Sequence, residues 1–170
     1  MNLEQDIETR LAQCLREAVE PNHPLGAARL ALESVEELEL NLPGLSASKG
    51  GRETHPNVRA MLTLLTYCYG LGICNPADIE RSLELDPVAT YLSAGASPTM
   101  TFLSSVRREY RRVLRKSLVR FFENAWIHGG TTQKGNWDHL MTPTLTLRFS
   151  QIADERITLA TLWDGPVMRD

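Results

Sequence analysis

Apolar side chains recur at helical spacing over most of the chain, and the first 42 residues carry two such series. The first series is Ile7, Leu11, Cys14, Leu15, Ala18 and Val19, and the second is Leu25, Ala28, Leu32, Val35, Leu38 and Leu42. Pro21 and Pro24 break the chain between them, and Pro43-Gly44 follows the second. We therefore predict a two-helix N-terminal arm over residues 1–45, followed by a Ser- and Gly-rich linker at residues 46–51.

The central part of the chain contains a succession of helix start signals. An almost wholly apolar run from Met61 to Tyr69, ended by Gly70 and Gly72, predicts a helix in the middle of the core. Three later positions place a capping side chain directly before a proline, namely Asn75-Pro76, Asp86-Pro87 and Ser97-Pro98. The third predicts the start of a long helix that continues to about Trp126. We interpret residues 52–128 as a compact helical domain.

The tail, residues 129–170, admits two interpretations. Residues 145–149 alternate apolar and polar side chains as a strand would, which allows a hairpin. Over a longer window the apolar positions fit one helix face, formed by Phe149, Ile152, Ala153, Ile157, Ala160 and Trp163. We favour a helix over about residues 148–163, after a loop at residues 129–132. The predicted fold class is therefore all-α.

Charge is distributed unevenly along the 170 residues, whose formal net charge is −3. Residues 99–134 contain 8 Lys or Arg and only 2 Asp or Glu. The overall balance argues against indiscriminate nucleic-acid binding by the whole molecule. The one basic segment nevertheless indicates a surface with its own function, because charge acts through its distribution.

Six cations lie close together in the predicted long helix: Arg107, Arg108, Arg111, Arg112, Arg115 and Lys116. On a helical wheel they fill one side beside an apolar arc, with Glu109 as the only acid among them. Like charges four residues apart destabilise an isolated helix, whereas phosphates would bind them and release counterions. Arginine can also recognise guanine in the major groove. We predict that these six residues contact DNA, and a solvated helix face is the alternative.

The short capped helices before the basic helix also suggest a helix-turn-helix arrangement. An ordered set of residues in this region resembles the N-terminal helical domain of insertion-element transposases of the IS5/IS1182 type. The matching residues are His55-Pro56, Leu62, Leu65, Tyr67 to Ile73, Asp78 to Arg81, Asp86, Tyr91-Leu92, Pro98, Thr101-Phe102 and Arg107-Arg108. The tail from Ala153 to Asp164 resembles that of short stand-alone bacterial proteins with the same domain. The resemblance implies association with DNA near transposon ends, through the stretch from Arg107 to Lys116.

The chain departs from complete transposases after Trp126. Those enzymes continue with a ribonuclease-H-like fold whose three acidic residues hold two metal ions for strand transfer. The remaining segment here offers Asp138, Asp154, Glu155 and Asp164, without the successive core strands that would carry them. We therefore expect a non-catalytic protein with no metal and no cofactor. Within the matching region, we expect four aromatic side chains to pack in the core and not to stack on bases: Tyr67, Tyr69, Tyr91 and Phe102.

Other chemistry receives little support. The cysteines Cys14, Cys68 and Cys74 form no CxxC pair, so we expect buried thiols in a reducing compartment. The chain has no zinc-finger spacing, Walker loop, GxGxxG or G-x-S-x-G motif. It also lacks a signal peptide and any apolar run near the ~20 residues of a membrane span. These observations predict a soluble cytoplasmic protein without a small-molecule substrate.

Two functions from different classes remain open. The first is a non-catalytic DNA-binding protein related to transposase N-terminal domains, such as a truncated mobile-element product or a regulator, acting as a monomer or a homodimer. The second is a protein–protein module whose basic helix meets an acidic partner or its own acidic N-terminal arm; a decayed gene product is a third reading. The exposure of Arg107, Arg111 and Arg115, or their coverage by residues such as Glu33, Glu36 and Glu37, discriminates between these hypotheses.

Overall fold

Helices alone make up the regular structure of the described part of the protein. The computed structural model describes residues 3–19, 26–39, 58–129 and 142–164. The helices are α1 (Leu3–Val19), α2 (Ala27–Glu39), α3 (Val58–Gly70), α4 (Pro76–Leu85), α5 (Pro87–Leu92), α6 (Met100–Glu109), α7 (Arg111–Gly129) and α8 (Pro143–Thr161). The predicted all-α fold class is confirmed. The predicted linker at residues 46–51 and, beyond Gly129, the predicted loop at residues 129–132 lie outside the described residues.

Helices α3 and α7 form the centre of the molecule. Every residue of α3 from Met61 to Gly70 is buried, as its almost wholly apolar sequence predicts. Helix α7 packs against α1, α2, α3 and α8, and its Leu114, Leu118 and Phe121 are fully buried. One hydrophobic cluster contains residues of all these helices. The two helices of the predicted N-terminal arm and the tail helix therefore share a core with the central domain.

Two of the three predicted helix caps are present. The Oδ1 atoms of Asn75 and Asp86 accept hydrogen bonds from the backbone N–H of Ala77 and Val88, each at 2.9 Å, at the starts of α4 and α5. The third cap differs from the prediction, because Thr99 and not Ser97 caps α6, accepting from the Phe102 N–H at 3.1 Å. A side-chain oxygen at each of these positions satisfies an N–H that has no partner within the helix.

The long basic helix is interrupted, which corrects the single helix expected up to Trp126. Helix α6 ends at Glu109 and α7 begins at Arg111, with Tyr110 between them at φ −108° and ψ 28°. In one continuous helix, Arg107 and Arg108 would stand four residues before Arg111 and Arg112, an arrangement that costs about 0.2–0.5 kcal/mol for each like-charged pair. The interruption falls between these two pairs of cations.

The tail segment is a helix and not a hairpin. Helix α8 starts at Pro143, earlier than predicted, where the Thr142 hydroxyl accepts a hydrogen bond from the Leu145 N–H. All the residues of the expected apolar face are buried except the last. That last residue, Trp163, is 54% exposed because α8 ends at Thr161 and the chain turns before the indole would reach the core. Within the described residues, no helix has the length and apolar character that crossing a bilayer requires.

Candidate nucleic-acid interface

The six cations predicted to contact DNA occupy the end of α6 and the first two turns of α7. Four of them, Arg108, Arg111, Arg112 and Lys116, have exposed side chains. We call these four the basic surface. They stand on both sides of the interruption at Tyr110, so two short helical segments present them to solvent.

Arg107 does not belong to this surface. It is 3% exposed, and its guanidinium binds the carboxylate of Asp164 through Nη2 and the carbonyl of Ala160 through Nη1 at 3.4 Å. Burial by itself would lower the pKa of the guanidinium, but hydrogen bonds to Asp164 and Tyr69 outweigh it and raise the pKa. The prediction that Arg107 contacts DNA is therefore withdrawn, because its charge is used to attach the end of α8 to α6.

Arg115 occupies an intermediate position. Its Nε donates to Oδ1 of Asp154 on α8 at 2.8 Å. The two side chains are 43% and 46% exposed, so water and salt screen the pair. Arg115 borders the basic surface, but its guanidinium is already paired with the carboxylate of Asp154.

The four cations of the basic surface differ from most other described cations because they have no carboxylate partner. Elsewhere in the described residues, arginines generally pair with acids, as in Arg29–Glu33, Arg59–Glu36, Arg81–Asp78, Arg120–Glu37 and Arg148–Glu8. In the described part of the chain, no ion pair involves the basic surface. Arg16 on α1 is the other exposed cation of these residues that forms no ion pair. Among the described residues, most arginines thus have a carboxylate partner, whereas the four cations of the basic surface have none.

Three described acids of α2 do not cover the basic surface. Glu33 pairs with Arg29 on the same helix, while Glu36 and Glu37 of α2 reach Arg59 on α3 and Arg120 on α7. These three acids therefore neutralise other arginines. The alternative in which they pair within the chain with Arg107, Arg111 and Arg115 is wrong for this structure.

One pair of surface residues was missed by the sequence reasoning. Leu162 and Trp163, just after α8, are 72% and 54% exposed. Helical periodicity assigned Trp163 to the buried face because it assumed that the helix continues. The Gly165-Pro166 dipeptide directly downstream was the available signal that it ends.

Of the aromatic residues expected in the core, Tyr67 and Tyr69 are buried and Phe102 is half-buried, but Tyr91 is 70% exposed. The Tyr67 hydroxyl donates to Asp86 at 2.7 Å, and its pKa is raised, first by burial and then by this hydrogen bond. The tyrosines of α3 therefore pack in the core. Tyr91 on α5 is the exception to the prediction.

Among the described residues, the cysteines are buried and no cluster of metal ligands is present. All three cysteines are buried, as expected, and burial raises the pKa of the Cys68 thiol to about 12, which keeps it protonated. No group of three or more His, Cys, Asp or Glu residues in the described part could hold a metal ion. Asp138, one of the four acids named in the sequence, lies outside the described residues.

This all-helical chain, with its basic surface, matches no family model, no curated protein and no solved structure.

Proposed function

We propose that this protein is a non-catalytic DNA-binding protein, related to the N-terminal domains of insertion-element transposases, that binds phosphates through Arg108, Arg111, Arg112 and Lys116. The observation that carries the proposal is that these four neighbouring cations are exposed and lack carboxylate partners among the described residues. The sequence resemblance described above supports the same assignment. The helix-turn-helix role of α5 and α6 remains a prediction within it.

A phosphate backbone is the partner that this chemistry favours. Clustered guanidinium groups bind phosphate oxygens by paired hydrogen bonds, and each neutralised phosphate releases counterions. The alternative, an acidic protein partner, would be attracted by the same charges. Three of the four cations are arginines, whose planar fork binds two oxygens of a phosphate or of a carboxylate, and the resemblance to transposase N-terminal domains is what favours phosphate.

The number of cations on the basic surface determines how steeply the DNA-binding constant depends on salt concentration. If each of four cations neutralises one phosphate, the logarithm of the binding constant falls with the logarithm of salt concentration with a slope of about −3.6. A smaller set of contacts would give a proportionally shallower slope. This slope is the quantity that a titration measures.

The experiment is a DNA-binding titration at several salt concentrations with wild type and with the Arg111→Glu/Arg112→Glu variant. The matched control is Arg29→Glu/Arg81→Glu, which makes the same change in net charge at two exposed arginines of α2 and α4. We expect the first variant to lose binding and the control to retain most of it. Absence of wild-type binding at low salt, or equal losses in both folded variants, would reject the proposal.

A further inference from the structure

We propose that Trp163 stacks on an unpaired base of the DNA whose phosphates the basic surface binds. The ligand class is then DNA with single-stranded or unpaired bases next to the contacted phosphates. This inference rests on the proposed function and adds the kind of DNA that is bound.

The turn that carries Trp163 is fixed to the end of α6. The backbone N–H of Trp163 donates to the carbonyl of Ala160 at 3.3 Å, and the same carbonyl accepts the hydrogen bond from Arg107. The next residue, Asp164, binds Arg107 through its carboxylate. The turn that carries Trp163 is therefore joined to Arg107, the residue that directly precedes Arg108, the first cation of the basic surface.

The exposure of the indole calls for an explanation. Tryptophan is highly buried on average in folded proteins, yet Trp163 is 54% exposed, and Leu162 beside it is 72% exposed. Contiguous exposed apolar side chains next to charged ones mark a binding surface. Here the turn is also held in place by a buried ion pair, so the indole is presented from a fixed support.

Cations combined with an exposed aromatic ring favour a nucleic acid with accessible bases. Surfaces that bind single strands use positive charge to follow the backbone and aromatic side chains on which bases stack. In an intact duplex the faces of the bases are covered by their neighbours, so a surface indole has no ring to meet. An apolar protein partner would match Leu162 and Trp163 but not the uncompensated charge of Arg108 and Arg111, whereas an acidic protein partner would match the charge without a base to stack on the indole.

The test compares wild type, Trp163→Ala and Trp163→Phe in titrations with a labelled single-stranded oligonucleotide and with a duplex of the same length. We expect Trp163→Ala to weaken single-strand binding by about fivefold to 150-fold, the range that stacking on one base gives. The salt slope should stay unchanged because no charge is removed. Trp163→Phe should recover part of the loss, and duplex binding should not change.

Tyr91→Ala is the matched control. It removes an exposed aromatic ring from α5, where Tyr91 lies beside Leu32 and Arg59. A loss of single-strand binding in Trp163→Ala no greater than in Tyr91→Ala would overturn the inference. So would an equal loss for single strand and duplex, or a wild-type dimer that Trp163→Ala converts to monomers. If wild type binds neither DNA, the proposed function fails and this inference falls with it, which the wild-type titration alone reveals.

Discussion

Gly70, the last residue of α3, lies directly against the ring of Phe121 on α7. A Cβ atom added there would stand 2.6 Å from Cδ1 and 3.1 Å from Cζ of Phe121 on α7, and nearer still to Cε1. Carbon atoms pack favourably at about 3.5–4.0 Å, so the ring would have to retreat by about 1 Å. Phe121 is fully buried, and its ring packs edge to face on Phe122 with centroids 6.1 Å apart. The ring therefore has no open space into which it can move.

The magnitude for Gly70→Ala follows from two opposing effects. Overpacking a close-packed core costs about 1–3 kcal/mol. Replacing a helical glycine by alanine contributes at most about 1 kcal/mol of stability in a helix interior, and less at the last residue. We therefore expect a net loss of about 1–2 kcal/mol in the free energy of unfolding.

Urea unfolding, followed by circular dichroism, measures this loss as a lower midpoint with an unchanged slope. The melting temperature should fall by about 2–4 °C for each kcal/mol lost in a chain of this size. Phe121→Leu, introduced as a single variant and together with Gly70→Ala, completes a double-mutant cycle. The double variant should be more stable than the sum of the two losses predicts, because the smaller side chain removes the collision. A Gly70→Ala protein as stable as wild type would refute the packing argument.

Three further changes have definite expected outcomes. Ala94 has a φ of 57°, in the left-handed region that disfavours L side chains. Ala94→Gly should therefore raise the urea midpoint by the equivalent of about 0.5–1 kcal/mol, and an unchanged midpoint would contradict this. Asp154→Asn removes the carboxylate that occupies Arg115, so the salt slope of DNA binding should become steeper by about 0.9, whereas Glu109→Gln, at an exposed acid nearby, should leave the slope unchanged. The pKa of Cys68 rises from 9.0 to about 12 on folding, so the unfolded chain loses this proton first and stability should fall as pH rises above 9. Unfolding midpoints in that range should fall less in Cys68→Ala than in wild type, and parallel curves would exclude the thiol as a cause.

Local pattern was sufficient for most of the fold. Apolar spacing located the helices of the core, and the side chains of Asn75 and Asp86 fixed two helix starts through hydrogen bonds that span only two residues. The errors lie where a helix ends or bends. Apolar periodicity shows only which side of a helix is buried, so by itself it registers neither the interruption at Tyr110 nor the end of α8 before Trp163.

The sequence predicted where the candidate site lies, but not how many of its cations are available to a ligand. Whether an arginine is available to a ligand depends on its tertiary partners, and two of the six predicted cations have theirs on α8 or just after it: Asp154 for Arg115 and Asp164 for Arg107. Arg107 precedes Arg115, whereas its partner Asp164 follows Asp154, so the end of the tail runs opposite to α6 and α7 and brings both acids within reach. The sequence left this segment open between helix and hairpin, and a hairpin would have placed the two acids differently. The fold of the tail therefore fixes the number of exposed cations on the basic surface. That number determines how steeply the proposed DNA binding depends on salt.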